Sequence, residues 1–348
     1  MNLKNLTIQS DATIMDALTH LNSLLFKESI SRLILFVVDK SNKAIGSLTD
    51  GDIRRALVEN QNLQQPVIEI CNQNFIFLSE SNDFLNLNEF REKDIKMLPI
   101  LNSNQELIEI IDLEKTQAKL PLECVIMAGG RGKRLSPLTD TVPKPMLLLG
   151  DKPIIEHNID RLISFGIKKF YISVKYLGSQ IENHFGDGSN KGVQIEYIWE
   201  DQPLGTVGAL SLVEKFDSEN ILLMNSDLFT NVDFESLYLE LLNNNADIAI
   251  SSTEYKVDVP YAIFETEGKV IKAFKEKPSF IYQSNAGIYI LKKSLVNKIP
   301  KNNFYDITDL MEKIVEEGGK LIYNPIKGFW IDIGSPADYK RAQEFIKH

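Results

Sequence analysis

The sequence has few cysteines and histidines and lacks long apolar segments. Two cysteines, Cys71 and Cys124, and four histidines occur in 348 residues. Two distant cysteines provide neither a disulfide framework nor a metal-type spacing, which is typical of a reducing compartment. No stretch approaches the roughly 20 apolar residues that a transmembrane helix needs, and the amino terminus lacks the apolar core of a signal peptide. We therefore expect a cytoplasmic protein without membrane contact.

Positively charged residues are fewer than negatively charged ones. The chain has 38 Lys and Arg against 48 Asp and Glu, a formal net charge of -10. This balance disfavours binding to nucleic acid or to anionic membranes, whereas small anionic metabolites stay compatible if their site is locally positive. The 43% hydrophobic and 25% charged composition is that of an ordinary globular protein, long enough for two domains.

A loop rich in glycine and cations follows a short apolar run. It reads A-G-G-R-G-K-R-L-S-P-L-T from Ala128 and is followed by Pro143-Lys144-Pro145. Glycines let the backbone approach a ligand closely, and successive amides form a cradle for anions. The loop lacks the Gly-Lys-Ser/Thr of a Walker loop and the third glycine of a dinucleotide fingerprint. We expect it to bind phosphate, through Ala128, Gly129, Gly130, Gly132, Lys133, Arg134 and Lys144.

Two later segments also contain candidate ligand-binding residues. Residues 204–210 read L-G-T-V-G-A-L and predict the start of a helix with Thr206 as its N-cap. The apolar run Ile221–Met224 ends in Asn225-Ser226-Asp227, which places a carboxylate at the carboxyl end of a predicted central strand. Open α/β sheets bind ligands at that end. Taken alone, either segment could be an ordinary helix start or turn.

The order of apolar strands predicts the fold class. After Cys124 such strands alternate with helical stretches, at residues 169–174, 193–199, 221–224 and 246–251. This alternation predicts a Rossmann-like, mainly parallel sheet with flanking helices. A charged linker around Glu114–Leu122 separates it from an earlier module, which gives predicted domains at residues 1–117 and 122–348.

Taken together, these motifs resemble the sugar-1-phosphate nucleotidyltransferases, which have a GT-A-like fold. The glycine loop matches the family signature A-G-G-x-G-T-R-L-x-P-L-T and its later P-K-P, with Lys133 in place of Thr. The resemblance implies in-line attack of a sugar 1-phosphate on the α-phosphorus of a nucleoside triphosphate, without a protein nucleophile. It implies catalytic roles for Arg134, Lys144 and Lys277, and nucleotide contacts at Gly205 and Thr206.

The resemblance also implies a metal site and a sugar site. Asp227 matches the family's N-G-D, with Ser226 in place of Gly, and Asp332 in W-I-D-I-G-S matches the second metal ligand. The expected cofactor is Mg²⁺, which prefers carboxylate and phosphate oxygens. The V-P-Y-A, E-K-P and N-A-G-I-Y stretches imply a sugar site, where Ala262 replaces a family glycine. The expected sugar-binding residues are Tyr261, Ala262, Glu276, Asn285 and Ala286.

The first third of the chain contains two similar strand-turn-strand patterns, at residues 32–57 and 96–111. Both resemble CBS motifs, which imply a small α+β CBS-pair domain. In the first copy Thr49 and Asp52 match an adenosine-ribose site, and Thr49 is expected to cap the following helix. The second copy departs from that pattern, so at most one ligand site is expected. Adenine-nucleotide sensing and a purely assembling role stay open, and a homo-oligomer is expected.

Among enzymes with this domain order, the chain most resembles the glucosamine-1-phosphate guanylyltransferases of legionaminic acid biosynthesis. The resemblance implies GTP and glucosamine 1-phosphate as substrates. No generic motif fixes the base, however, so UTP, dTTP and CTP stay open. A non-catalytic sensor that binds a nucleotide sugar is the competing hypothesis, and the intact set of charged motif residues argues against it.

Overall fold

The computed structural model describes residues 3–27, 33–80 and 87–347 and divides into two compact units, Met1–Lys119 and Leu120–His348. In the described ranges, none of the helices combines the length and the apolar character needed to span a membrane.

The amino-terminal unit repeats one strand arrangement twice. In each three-stranded sheet the first strand is parallel to the second and the second is antiparallel to the third. The first sheet contains β1 (Thr7–Gln9), β2 (Ile34–Val38) and β3 (Ala44–Thr49), and the second contains β4 (Leu78–Ser79), β5 (Met97–Leu101) and β6 (Leu107–Asp112). The helices are α1 (Ile14–Lys27), α2 (Asp50–Asn60) and α3 (Asn88–Glu92). Both sheets contribute to one cluster of buried apolar residues, and the second sheet also packs on a smaller cluster of its own.

The carboxyl-terminal unit contains a seven-stranded sheet. Its strands are β7 (Leu122–Met127), β10 (Lys169–Val174), β11 (Gln194–Trp199), β12 (Asn220–Asn225), β14 (Ile248–Asp258), β17 (Ser279–Lys292) and β18 (Leu321–Pro325), in the spatial order β11-β10-β7-β12-β17-β14-β18. Only β17 runs against its neighbours. The predicted mixed α/β fold with a mainly parallel sheet is therefore confirmed.

Short two-stranded ribbons and helices complete this unit. The ribbons pair β8 (Leu148–Leu149) with β9 (Lys152–Pro153), β13 (Leu228–Thr230) with β19 (Trp330–Asp332), and β15 (Ile263–Glu267) with β16 (Val270–Lys275). The helices are α4 (Ile154–Ser164), α5 (Gly178–Phe185), α6 (Gly205–Gly208), α7 (Phe234–Asn243), α8 (Ile307–Glu316) and α9 (Pro336–Phe345).

The central strand β7 shows why the sheet forms. Cys124, Val125 and Ile126 have no exposed surface, as expected of a strand covered on both faces. Burial also raises the pKa of the Cys124 thiol well above its usual value, which fits an inert core residue. Such strands supply the rigid frame that positions the loops at their ends.

The register of the parallel strands brings four loops together. Met127 at the end of β7 is paired with Asn225 at the end of β12 and with Ser173 near the end of β10. The segments that follow these strands, and the one that follows β11, therefore leave the sheet at the same edge. This is the edge at which open α/β sheets bind ligands.

Strand β14 differs from its prediction. It was expected over residues 246–251 but extends to Asp258 and pairs with β17 along its length. Beyond Thr253 both strands leave the buried part of the sheet and continue as an exposed ribbon. The polar and aromatic residues of this ribbon lack the continuous apolar pattern on which the strand prediction relied.

Candidate active site

A cavity of about 770 Å³ lies at the carboxyl ends of β7, β10, β11 and β12. Most residues that the sequence predicted for phosphate, nucleotide and metal binding line it together. These are Gly129, Gly130, Gly132, Lys133, Arg134, Lys144, Gly205, Thr206 and Asp227. Ala128 is buried behind the lining, where its amide donates a 2.8 Å hydrogen bond to the Ser173 carbonyl of β10.

The glycines of the loop have different structural roles. Gly132 adopts φ +64°, and a Cβ there would lie 2.9 Å from the Cβ of Lys144. That position therefore requires glycine for both its backbone angle and its close contact. A Cβ at Gly130 would meet no atom within 4 Å, so its backbone faces open space in the cavity. A ligand can approach the chain most closely there.

Lys144 is buried and lies in a 3₁₀ turn that begins directly after Pro143. Its ammonium group donates a hydrogen bond to the Asp227 carboxylate. Asp227 follows β12 and immediately precedes the ribbon in which Leu228 of β13 is paired with Asp332 of β19. The Ile333 amide also donates a 3.1 Å hydrogen bond to the Asp227 carbonyl. The ribbon thus holds the two predicted metal ligands next to each other.

Charged groups of both signs surround Asp332. Burial and the neighbouring Asp227 carboxylate raise the pKa of Asp332, and Lys144 and Arg134 oppose this rise. In the part of the chain that the structure describes, no group of three or more His, Cys, Asp and Glu side chains could hold a metal ion. Magnesium, however, commonly uses one or two carboxylates together with substrate phosphates. The aspartate pair fits that ion.

The position of Thr206 differs from its predicted role as a helix N-cap. Helix α6 spans four residues and has Leu204 as its N-cap, so the prediction that Thr206 caps this helix is wrong. Its amide instead donates to the Asp306 carboxylate at 3.0 Å, and its hydroxyl accepts a 2.6 Å hydrogen bond from the Ile307 amide. The reason is tertiary, because the segment packs so closely on the start of α8 that a Cβ at Gly205 would lie 2.6 Å from the Tyr305 carbonyl.

The predicted sugar-binding residues fall into two groups. Ala286 is buried, its carbonyl accepts a 2.9 Å hydrogen bond from the Trp330 indole, and Asn285 accepts one from the Gly287 amide. A Cβ at Gly287 would lie 2.6 Å from the side-chain nitrogen of Asn225. Because Asn225 lines the cavity, Asn285 and Ala286 adjoin the cavity wall. The other predicted residues lie on or beside the exposed ribbons and outside the cavity lining. These are Tyr261, Ala262 and Glu276, and Lys277, which was predicted to be catalytic, lies outside the lining as well.

Several cavity residues were missed by the sequence analysis, namely Arg131, Lys175, Tyr176 and Glu200. The Arg131 guanidinium lies 5.2 Å from the centre of the Tyr176 ring, and the Lys175 ammonium donates a 3.1 Å hydrogen bond to the Glu200 carbonyl. Lys175 and Glu200 directly follow β10 and β11. The rule that identified Asp227, a polar residue at the carboxyl end of a parallel strand, could have found both.

In the amino-terminal unit, Thr49 caps α2 as predicted. Its amide donates to the Asp52 carboxylate at 2.8 Å, and its hydroxyl accepts from the Asp52 amide at 3.3 Å. Asp52 also pairs with Arg55. Thr49 lines a cavity of about 610 Å³ together with Phe36 and Phe75, whereas Asp52 is not part of that lining. The structure therefore places one of the two predicted adenosine contacts at a cavity.

Comparison with known proteins agrees with this geometry. The nucleotidyl transferase family model matches residues 123–348, and the CBS domain model matches residues 1–59. Mannose-1-phosphate guanylyltransferase of Mycobacterium tuberculosis is 31% identical over 64% of this chain, which spans 63% of that relative's length. D-glycero-alpha-D-manno-heptose 1-phosphate guanylyltransferase of Aneurinibacillus thermoaerophilus is 32% identical over 65% of this chain and 99% of its own.

A similar fold occurs in a solved structure. The crystal structure of HddC from Yersinia pseudotuberculosis has a TM-score of 0.50 and 26% identity, and it covers 65% of this chain and 99% of HddC. The residues that the nucleotidyl transferase family model matches lie in the unit that carries the cavity. The chain therefore belongs to the nucleotidyl transferase family and has a CBS domain in its amino-terminal unit.

Proposed function

We propose that this chain transfers a nucleoside monophosphate from GTP to glucosamine 1-phosphate, with Mg²⁺ as cofactor and pyrophosphate as the second product. The observation that carries the proposal is that the glycine loop lines one cavity with the paired Lys144 and Asp227, and that Asp332 lies beside Asp227. This arrangement combines an anion cradle with fixed cations and two carboxylates, which are the groups that a phosphoryl transfer between two polyanions needs.

The residues of the cavity would act by position and charge. The backbone at Gly130 cradles the triphosphate, while Lys133, Arg134 and Lys144 neutralise the charge that builds up on the α-phosphate and the leaving pyrophosphate. Asp227 and Asp332 would hold Mg²⁺, which would supply positive charge that offsets the repulsion between the two substrates. A sugar-phosphate oxygen then forms the new bond to the α-phosphorus as the bond to pyrophosphate breaks. Alignment of these two oxygens accounts for most of the expected rate.

Relatives support the choice of nucleotide more strongly than the choice of sugar. The mycobacterial and Aneurinibacillus relatives are both guanylyltransferases by name, which favours GTP. Their sugars, mannose and a heptose, differ from each other. Glucosamine 1-phosphate is proposed from the resemblance of the whole domain order.

The test is pyrophosphate release from a grid of substrates with Mg²⁺. GTP, UTP, dTTP, CTP and ATP are each combined with the 1-phosphates of glucosamine, N-acetylglucosamine, mannose and D-glycero-α-D-manno-heptose. We expect release with GTP and glucosamine 1-phosphate. Release with another pair would keep the transferase and replace its substrates. Nucleotide-sugar binding without release from any pair would support the sensor hypothesis instead.

We also propose that the cavity at Thr49 binds an adenine nucleotide. Support comes from the aromatic side chains of Phe36 and Phe75 in the cavity wall, which offer a nucleobase an apolar surface next to a hydroxyl group. Titration with ATP, ADP and AMP tests this proposal.

A further inference from the structure

We propose that Asn158 is a positioning residue for the proposed metal site, because its side-chain amide holds the backbone on both sides of Asp227. This inference rests on the proposed function, which assigns Mg²⁺ to Asp227 and Asp332. Asn158 belongs to none of the motifs of the sequence analysis, and it does not line the cavity. It would therefore act on Asp227 without touching a substrate.

Asn158 is a buried polar residue in the middle of α4 and is 3% exposed. Three apolar residues of this helix, Ile155, Ile159 and Leu162, have no exposed surface and anchor it in the core. A buried amide costs free energy unless it makes hydrogen bonds. The partners of the Asn158 amide therefore indicate its role.

The amide nitrogen of Asn158 faces the segment that follows β12. It donates a 2.8 Å hydrogen bond to the Leu228 carbonyl and makes a longer contact of 3.5 Å with the Ser226 carbonyl. Ser226 and Leu228 are the two neighbours of Asp227 in the chain. A single side chain thus contacts the backbone immediately before and immediately after the carboxylate proposed for the metal.

Other contacts hold the same backbone from different directions. The amide and the hydroxyl of Ser226 both donate to the Met127 carbonyl at the end of β7, at 3.2 and 2.6 Å. The Asp227 carbonyl accepts a 3.1 Å hydrogen bond from the Ile333 amide. Asn158 is the contribution of α4 to this set. With the backbone fixed on all these sides, the position of the Asp227 carboxylate depends mainly on its own side-chain torsions.

The hydrogen bond to Leu228 affects both proposed metal ligands. Leu228 begins β13, where it is paired with Asp332 of β19, so a shift of Leu228 would move Asp227 and Asp332 relative to each other. Groups that orient metal ligands commonly change metal affinity or activity by about 10- to 100-fold. Arg161, one turn further along α4, donates a 3.1 Å hydrogen bond to the Val232 carbonyl. The helix therefore holds this segment at two points.

The experiment uses three variants of Asn158 and one control. Asn158→Leu replaces the amide with an apolar group of similar shape, so the two carbonyls lose their donor. Asn158→Ala also removes the donor but leaves room for a water molecule, which keeps the test available if Asn158→Leu does not fold. Asn158→Gln retains an amide and tests rescue.

Asn324→Leu is the matched control. The Asn324 amide donates a 3.0 Å hydrogen bond to the Ser236 hydroxyl and so ties β18 to α7. In the sheet, β18 is separated from β12 by β17 and β14. This variant therefore removes the same kind of contact between two elements far from the aspartate pair.

The probe is Mn²⁺, which takes the same oxygen ligands as Mg²⁺ and is paramagnetic, so its binding can be followed through the relaxation of water protons. This measurement is made with and without GTP and requires no turnover. Thermal melts report folding, and steady-state kinetics over a range of Mg²⁺ concentrations report kcat and KM.

We expect Asn158→Leu to bind Mn²⁺ about 10-fold or more weakly than the intact chain. Its kcat at low Mg²⁺ should fall by a similar factor and recover in part at high Mg²⁺, while KM for the sugar 1-phosphate stays near its original value. Asn158→Ala should weaken Mn²⁺ binding by about 3-fold or more. Asn158→Gln should bind Mn²⁺ more tightly than either, and Asn324→Leu should lower Tm without changing Mn²⁺ affinity.

The inference is overturned if folded Asn158→Leu or Asn158→Ala binds Mn²⁺ as tightly as the intact chain, or if Asn324→Leu weakens Mn²⁺ binding as much as they do. Failure of the proposed function looks different. In that case Mn²⁺ binds with the expected dependence on Asn158, but no pair of substrates leads to pyrophosphate release. An intact chain that binds no Mn²⁺, with or without GTP, contradicts both the metal assignment and this inference.

Discussion

Lys144 and Asp227 form a partly buried ion pair although 83 positions separate them in the chain. Each residue belongs to a different loop, one after the glycine loop and one after β12. The pair therefore ties the phosphate-binding segment to the carboxylates proposed for the metal. Removing one partner leaves the other charged and poorly solvated, so variants here are expected to affect activity more than their small size change suggests.

Asp227→Asn should lower turnover by about 100-fold or more, because it removes a proposed metal ligand without changing the side-chain volume. The measurement is kcat over a range of Mg²⁺ concentrations, together with a thermal melt. Asp217→Asn is the control, since Asp217 is largely exposed and pairs with Lys169 at the surface. Near-normal turnover of folded Asp227→Asn would contradict the metal role.

Alanine substitutions at two glycines of the loop should have different effects, one on stability and the other on nucleotide binding. Gly132→Ala forces a Cβ against Lys144 at positive φ and should reduce the free energy of unfolding by about 1 kcal/mol or more. Gly130→Ala meets no neighbour, so we expect near-normal stability but a higher KM for the nucleotide because the methyl group enters the cavity. Urea unfolding and steady-state kinetics provide the two measurements. Equal KM values for Gly130→Ala and the intact chain would argue against the cradle.

Thr49→Ala should abolish binding of an adenine nucleotide to the amino-terminal unit and cost about 1 kcal/mol of stability through the lost cap. Thr13→Ala is a close control, because Thr13 makes the same reciprocal hydrogen bonds with Asp16 at the start of α1 and does not line the cavity. Calorimetric titration with ATP, ADP and AMP compares the two variants with the intact chain. If titration of the intact chain with these nucleotides gives no heat, the proposal of an adenine-nucleotide site at Thr49 is contradicted.

We expect the charge of Asp160 to make the free energy of unfolding decrease at acidic pH. Burial opposes its charge, but hydrogen bonds from Lys152 and Lys191 outweigh burial and lower its pKa. A carboxyl group with a lowered pKa in the folded state stabilises the fold above its unfolded-state pKa, and this contribution is lost as pH falls through the folded value.

Asp160→Asn should therefore reduce the free energy of unfolding by up to about 1 kcal/mol at pH 7 and by little near pH 3. Urea unfolding between these pH values measures the difference, with Asp11→Asn as an exposed control whose ion pair with Lys40 lies at the surface. An equal difference at both pH values would show that the charge of Asp160 is not the cause.

Local chemistry made much of the fold predictable. The strand at residues 169–174 was predicted with the observed bounds, because its apolar residues are buried and its neighbours are polar. The glycine loop was recognised for the same reason, since backbone freedom and positive charge are properties of the residues themselves. Thr206 shows the limit of this approach, because its partners Asp306 and Ile307 lie about 100 positions away.

The sequence by itself determined the alternation of strands and helices, the phosphate-binding loop and the identity of the charged residues. Only the tertiary structure decided which of these residues meet. The pairing of β13 with β19 places Asp227 beside Asp332, and the order of strands in the sheet places Glu200 beside the glycine loop. Lys277 is left in an exposed bend between β16 and β17. Strand order is set by the packing of the whole sheet, a sum of many distant contacts, so no local pattern of residues specifies it.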